Sequence, residues 1–296
     1  MKQATQNARF KKSFAISDSP ERVFRALTAP DELRSWFAEH AEVEPKAGGV
    51  YGFWGTLTPW TPRECATQRI IRIDPPRLLS YSWRWRELDS TVIITLDGSS
   101  KHTNLRIVQE GTGKVLDSRE NTEFAMLDFW RLSIGNLRSF LKNGKAALRP
   151  NFENKGDRVA LSIEIEAPAA AVFRALTDPA QMDKWISTKA AVEPRAGGTY
   201  NYGWKFGDPP AHCGPHRFLA IEPGKMIEHD WDHAKEPTSR VRWEISEIGP
   251  GRSRVTLTHL RPAEDDSTRG GYIAGWGAFM HMLKQFGENP EATDLR

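Results

Sequence analysis

Apolar side chains recur along this chain in two alternating rhythms. Phe14 and Ile16 alternate with Ser13 and Ala15, the period-two spacing of a half-buried strand. Val23, Phe24 and Leu27 then fall on one face of a helix opened by Ser19-Pro20-Glu21. Proline is tolerated in that first turn because its missing N–H has no intrahelical partner to lose. A second short helix is predicted after Pro30, carrying Leu33, Trp36 and Phe37. Gly48-Gly49 supplies the backbone freedom for a tight turn. Strands follow at hairpin spacing over 50–57, 65–74, 78–86, 91–97 and 103–109, and a long helix over 122–143 closes the series. The order β-αα-βββββ-α predicts an α+β domain, an antiparallel sheet packed on a long helix.

The same series then begins again. Val23-Phe24-Arg25-Ala26-Leu27-Thr28 returns as Val172-Phe173-Arg174-Ala175-Leu176-Thr177. Trp36 meets Trp185, Gly48-Gly49 meets Gly197-Gly198, and Tyr51 meets Tyr200. Further on, Cys65, Arg69 and Trp83 meet Cys213, Arg217 and Trp231, and Trp130, Leu137 and Phe140 meet Trp276, Leu283 and Phe286. Order is kept while the offset drifts by only a few residues, which identifies two copies of one domain. The second copy predicts strands at 199–206, 213–222, 226–233, 240–247 and 253–260 and a helix over 268–287. The expected division is 1–146 and 156–296, with 147–155 as a linker containing Pro150 and Asn154-Lys155.

Composition narrows the function classes. The 296 residues are 39% hydrophobic and 27% charged, a balance that builds cores and excludes wholesale disorder. No apolar run approaches the roughly 18 residues of a membrane span, and the first residues form no signal-peptide core. Two cysteines exclude a disulfide framework, so a cytoplasmic location is the expectation. Residues 1–150 carry 23 basic against 17 acidic side chains, and residues 151–296 carry 18 against 21. Opposite signs suit packing of the two repeats on each other, though ordinary surface variation gives the same counts. No basic stripe interleaved with aromatics marks a nucleic-acid binder. The excess is tryptophan, 11 against 5 tyrosines. Six form the pairs Trp36/Trp185, Trp83/Trp231 and Trp130/Trp276, while Trp54, Trp60, Trp85, Trp204 and Trp243 differ between copies.

These motifs, with Asp74-Pro75-Pro76-Arg77-Leu78 in the first copy and Glu222-Pro223-Gly224-Lys225-Met226 in the second, resemble the SRPBCC or START-like helix-grip superfamily. Within it the chain is most similar to the branch named for the activator of heat-shock-protein-90 ATPase. The likeness covers nearly the whole chain, twice. It implies a curved antiparallel sheet wrapped around the C-terminal helix, with a cavity between them for an apolar ligand. Function on such a fold has to be argued from the site.

Strand parity nominates the cavity walls. In the first copy these are Tyr51, Phe53, Tyr81, Trp83 and Trp85, with Met126, Trp130 and Ile134 from the long helix. In the second they are Tyr200, Tyr202, Trp204, His229, Trp231, His233 and Trp243, with Tyr272, Phe279 and Met282 from the helix. A packed aromatic core is the competing reading for each of them. Flat walls with polar tips suit a binding site for an aromatic or polycyclic molecule. Arg69 and Arg217 share parity with apolar neighbours and are candidates to hold a ligand carboxylate or phenolate. The alternative is that they are edge arginines reaching solvent.

The second copy is rich in histidine, with six of the eight after residue 211. His229, His233 and His259 are the candidate acid–base residues. His212, Cys213 and His216 match no zinc spacing, so no metal is expected. Gly48-Gly49 and Gly197-Gly198 precede strands rather than a helix N-terminus, so no phosphate-bearing cofactor is expected either. The preferred expectation is binding of a hydrophobic, aromatic or polycyclic small molecule, for transport, sensing or sequestration. The last includes the self-resistance role that the resemblance implies. The alternatives are a cyclase-, aromatase- or hydrolase-like enzyme using the pocket histidines, and a co-chaperone of a heat-shock ATPase.

Overall fold

The computed structural model describes residues 6–59, 61, 63, 67–85, 88–113, 122–206, 211–232, 237–261 and 266–291. The chain divides into two compact units, Met1–Glu153 and Asn154–Arg296. Trp60, Cys65 and His233 lie outside the described residues.

In the first unit β1 (Gln6–Ile16) leads into α1 (Pro20–Thr28) and α2 (Pro30–Trp36). Ser19 caps α1 by accepting the Arg22 N–H at 3.2 Å, with Pro20 in the first turn. This satisfies one of the donors a helix start leaves open. Then come β2 (His40–Val43), β3 (Tyr51–Trp54), β4 (Ile70–Asp74), β5 (Leu78–Trp85), β6 (Leu88–Ser99), β7 (His102–Gly113) and α3 (Thr122–Asn143). Five strands form one antiparallel sheet through four pairings, in the order β1-β7-β6-β5-β4, while β2 and β3 form a separate ribbon. The strand β2, short and weakly alternating, is an element the hydrophobic pattern did not predict.

The second unit repeats the plan. β8 (Arg158–Ile165), α4 (Ala169–Thr177) and α5 (Pro179–Trp185) are followed by four two-residue strands. These are β9 (Ala191–Val192), β10 (Tyr200–Asn201), β11 (Lys205–Phe206) and β12 (Ala211–His212). Next come β13 (Phe218–Glu222), β14 (Met226–Trp231), β15 (Ser239–Gly249), β16 (Arg252–Leu260) and α6 (Asp266–Glu288). Its sheet runs β13-β14-β15-β16-β8, the same neighbours in the same places. The α+β, helix-grip architecture expected from the sequence is therefore present twice.

The turns and pins recur with the sequence. Gly48 and Gly197 have φ of 78° and 73°. A Cβ on the next glycine, Gly49 or Gly198, would sit 2.3 Å from the carbonyl oxygen of Glu44 or Glu193. Only glycine pairs fit there. The Trp36 indole donates to the Ala26 carbonyl at 3.0 Å, and Trp185 to Ala175 at 2.9 Å. The Tyr51 hydroxyl donates to Leu27 O at 2.7 Å, and Tyr200 to Leu176 O at 2.9 Å. These bonds tie α2 and β3 to the end of α1, and their counterparts to the end of α4. Each core lies between the inner sheet face and the long helix. After α3 the first chain doubles back, with Asn136 pairing to both N–H and C=O of buried Leu148 at 3.0 and 2.8 Å.

Candidate functional site

Register puts matching residues in one row across each sheet. Tyr81 pairs with Val92 and Val92 with Gln109; His229 pairs with Val241 and Val241 with His259. Gln109 and His259 are thus the same position. So are Ser90 and Ser239, which oppose Trp83 and Trp231.

On the inner face of the first unit Tyr51, Phe53, Tyr81, Trp83, Trp85, Met126, Trp130 and Ile134 are all at most 2% exposed. Trp83 is the hub: its ring lies 5.2 Å from Phe53, 5.4 Å from Phe129, 6.2 Å from Trp130 and 6.4 Å from Trp85. In the second unit Trp231 holds that place, 4.7 Å from Trp276 and 6.0 Å from both Trp204 and His259. Tyr200, Tyr202, His229, Trp243 and Met282 are buried around it, while Trp204, Tyr272 and Phe279 are half-buried. The Tyr51, Tyr81, Tyr200 and Tyr202 phenols are pushed up by burial, so all four rings are neutral.

A polar relay crosses each aromatic layer from helix to sheet. In the first unit Trp130 Nε1 donates to Gln109 Oε1 at 2.9 Å, and Gln109 Nε2 donates to Ser90 Oγ at 3.1 Å. Ser90 then donates to the Trp83 carbonyl at 2.7 Å. In the second, Trp276 Nε1 donates to His259 Nδ1 at 2.9 Å. Indole is a donor only, so Nδ1 carries the lone pair and Nε2 the proton. Nε2 therefore donates to Ser239 Oγ at 2.7 Å, and Ser239 to the Trp231 carbonyl at 3.4 Å. By the same logic His229 Nε2 accepts from Trp243 at 3.3 Å, and its Nδ1–H donates to the Asp230 carbonyl at 2.7 Å. Burial lowers His229 to about 4 and His259 to about 3. Both are neutral, with both ring nitrogens engaged.

Not every nominated residue joins this layer. Arg69 and Arg217 point to solvent. Arg69 donates to the Gln68 carbonyl at 2.9 Å, and Arg217 lies 3.6 Å from Asp230. Of the two readings offered for these arginines, the solvent-reaching one matches their placement, and the inward candidates are corrected by strand phase: Ile70 and Phe218 are the buried neighbours, and a bulge after each breaks the alternation. Ile71, which shares the parity of Arg69, is 46% exposed. Residues the pattern missed are Gln68, Phe129 and Phe218, all buried. Helical spacing three residues beyond Met126 already carried the signal for Phe129.

The remaining histidine cluster is superficial. His216 pairs with Asp232 at 2.8 Å, and its ring lies 3.8 Å from that of His212. Among the described residues no group of three or more His, Cys, Asp or Glu is placed to hold a metal ion. No described helix is long and apolar enough to cross a membrane.

Gln68 Oε1 and the Tyr202 hydroxyl are buried with no hydrogen-bond partner among the described residues, and one indole position shares this in both repeats. The buried indole nitrogens of Trp83 and Trp231 have no hydrogen-bond acceptor among the described residues. The indoles of Trp36, Trp130, Trp185, Trp204, Trp243 and Trp276 all have one. A separate cavity in the first unit, bounded by Trp36, Phe37, Phe129, Ser133 and Asn136, has a volume of about 10 Å³, space for about one water.

A model of the family described as Activator of Hsp90 ATPase homolog 1-like protein matches residues 18–142 and again 166–288. Among solved structures the chain is similar to DynU16 from the dynemicin biosynthetic locus. Identity is 15%, coverage 94% of this chain and 98% of that one, and the TM-score 0.39. CalU16 from Micromonospora echinospora is 20% identical over 47% of this chain and 78% of its own, with a TM-score of 0.38. Aha1 from Colwellia psychrerythraea is 18% identical over 46% and 98%, also at 0.38. No curated protein matches the chain.

Proposed function

Both halves of the chain belong to the Activator of Hsp90 ATPase homolog 1-like family, and on that premise we propose that the protein binds a hydrophobic, planar aromatic small molecule between sheet and long helix. The observation that carries this reading is the buried indole N–H at Trp83 and again at Trp231, neither with an acceptor among the described residues. Leaving such a donor unpaired costs about 1–3 kcal/mol. The same cost at the same position of two diverged repeats is accounted for by an acceptor supplied from outside the chain. A carbonyl or phenolic oxygen on a polycyclic ring meets that need, and the surrounding aromatic rings supply stacking area.

On this reading binding is coupled to movement of the rings that cover Trp83 and Trp231, which are 1% and 5% exposed. Transport, sensing or sequestration of such a molecule, self-resistance included, follows from binding alone and needs no catalytic group. The acid–base alternative has less support, because His229 and His259 spend both nitrogens on internal bonds.

The test is a titration of the full chain with hydroxyanthraquinones, flat polycyclic ketones and fatty acids, following tryptophan fluorescence and thermal unfolding. A ligand at one hundred times its Kd stabilises the folded state by about 2.7 kcal/mol. Quenching with a raised melting temperature for the acceptor-bearing aromatics supports the proposal. No response from any class refutes it.

A further inference from the structure

The two repeats cover their central tryptophan differently. In the first, the cover is Phe129 on α3 itself, 2% exposed and packed 6.0 Å from Phe37, 5.4 Å from Trp83 and 5.4 Å from Trp130. In the second, Gly275 precedes Trp276 where Phe129 precedes Trp130. The helix therefore brings no ring to that place. Trp204 fills it, from the stretch between β10 and β11, where the first repeat has Gly55. Its ring stacks on Phe279 of α6 at 5.4 Å and 29° and meets Tyr202 and Trp231 edge-on at 5.0 and 6.0 Å.

The attachments of Trp204 suit a movable part. The strands on either side of it pair over only two residues each. Gly203 precedes it with φ of 73°, and a Cβ there would lie 2.8 Å from the Lys189 carbonyl oxygen, so only glycine fits at that position. The Trp204 indole donates to the carbonyl of Ile186 at 2.8 Å. Both Trp204 and Phe279 are half-exposed, whereas Trp231 and Tyr202 beneath them are buried.

We infer that Trp204 is the gate of a ligand site in the second repeat. A planar aromatic ligand takes its place against Phe279 and brings an acceptor to the Trp231 layer. In the first repeat the same place is closed by the helix-borne ring of Phe129. This rests on the binding reading above and adds a gated entry in the second repeat and one class of ligand, a flat ring of indole size or larger bearing an acceptor oxygen. Swinging a tryptophan aside slows association below that of an open pocket.

Stopped-flow binding of 1-anilinonaphthalene-8-sulfonate to the full chain tests the gate, with Trp204→Ala, Trp204→Phe and Phe129→Leu as variants. Association is expected to be about tenfold faster in Trp204→Ala and close to the unsubstituted chain in Phe129→Leu. Trp204→Phe, which keeps a stacking ring, is expected to fall between. Because Trp204 is half-exposed, its truncation leaves the sheet and helices intact, which the far-ultraviolet spectrum checks. Equal rates in all forms, or acceleration by Phe129→Leu alone, overturn the gate and leave the binding reading standing. No dye binding by any form, together with no response in the titrations above, removes both.

Discussion

Trp276 hands its indole N–H to Nδ1 of His259 at 2.9 Å, the same bond and the same length as that from Trp130 to Oε1 of Gln109. Glutamine and neutral histidine are interchangeable here because each accepts on one side and donates to a serine on the other. His259→Gln is therefore expected to leave stability within about 1 kcal/mol, whereas His259→Leu strands both Trp276 and Ser239 and costs about 2–4 kcal/mol. Urea unfolding of the full chain separates the two outcomes.

Acid should act on the second unit through its histidines. His229 and His259 are lowered to about 4 and about 3, below the ordinary value near 6.5. The unfolded chain then binds their protons first. The stability they support is fully present above about pH 6.5 and drains as pH falls toward 4, by about 2 kcal/mol for each at pH 5. The first unit has Tyr81 and Gln109 at these positions, and neither titrates in that range. Thermal unfolding between pH 7 and 5 is expected to show one transition falling, and the fall to shrink in His229→Gln/His259→Gln.

Asn136 closes the first unit by pairing with both backbone groups of Leu148. The second repeat has Met282 at that position. Asn136→Ala leaves a buried N–H and C=O without their partner, an expected loss of about 2–4 kcal/mol confined to the first unit's transition. Met282→Ala is expected to cost a comparable amount by lost packing alone, since it is 6% exposed. Proteolysis near residue 150 should accelerate only in the first variant.

The repeat and the helix-grip plan were legible because their carriers are local: glycine pairs at turns, proline at helix starts, and strict alternation in β5. That alternation places Leu79, Tyr81, Trp83 and Trp85 on one buried face. Alternation failed near Arg69 and Arg217, where bulges after Ile70 and Phe218 put the arginines outside. A bulge leaves no mark in a period-two pattern. The roles of His229 and His259 were equally hidden. Each is decided by a tryptophan on the next element, Trp243 or Trp276, whose N–H fixes the tautomer. The swap of Phe129 for Trp204 moves a ring between two elements, which no single aligned position records.

The indole region of a ¹H–¹⁵N correlation spectrum tests the central claim most directly. The full chain would be titrated with a soluble hydroxyanthraquinone, and resonances assigned by single Trp→Phe variants. The account predicts that the Nε1–H signal of Trp83 or Trp231 moves downfield and becomes protected from exchange as its missing acceptor arrives. The paired indoles of Trp36 and Trp185 should stay in place. Saturable binding in which neither the Trp83 nor the Trp231 signal moves would contradict it.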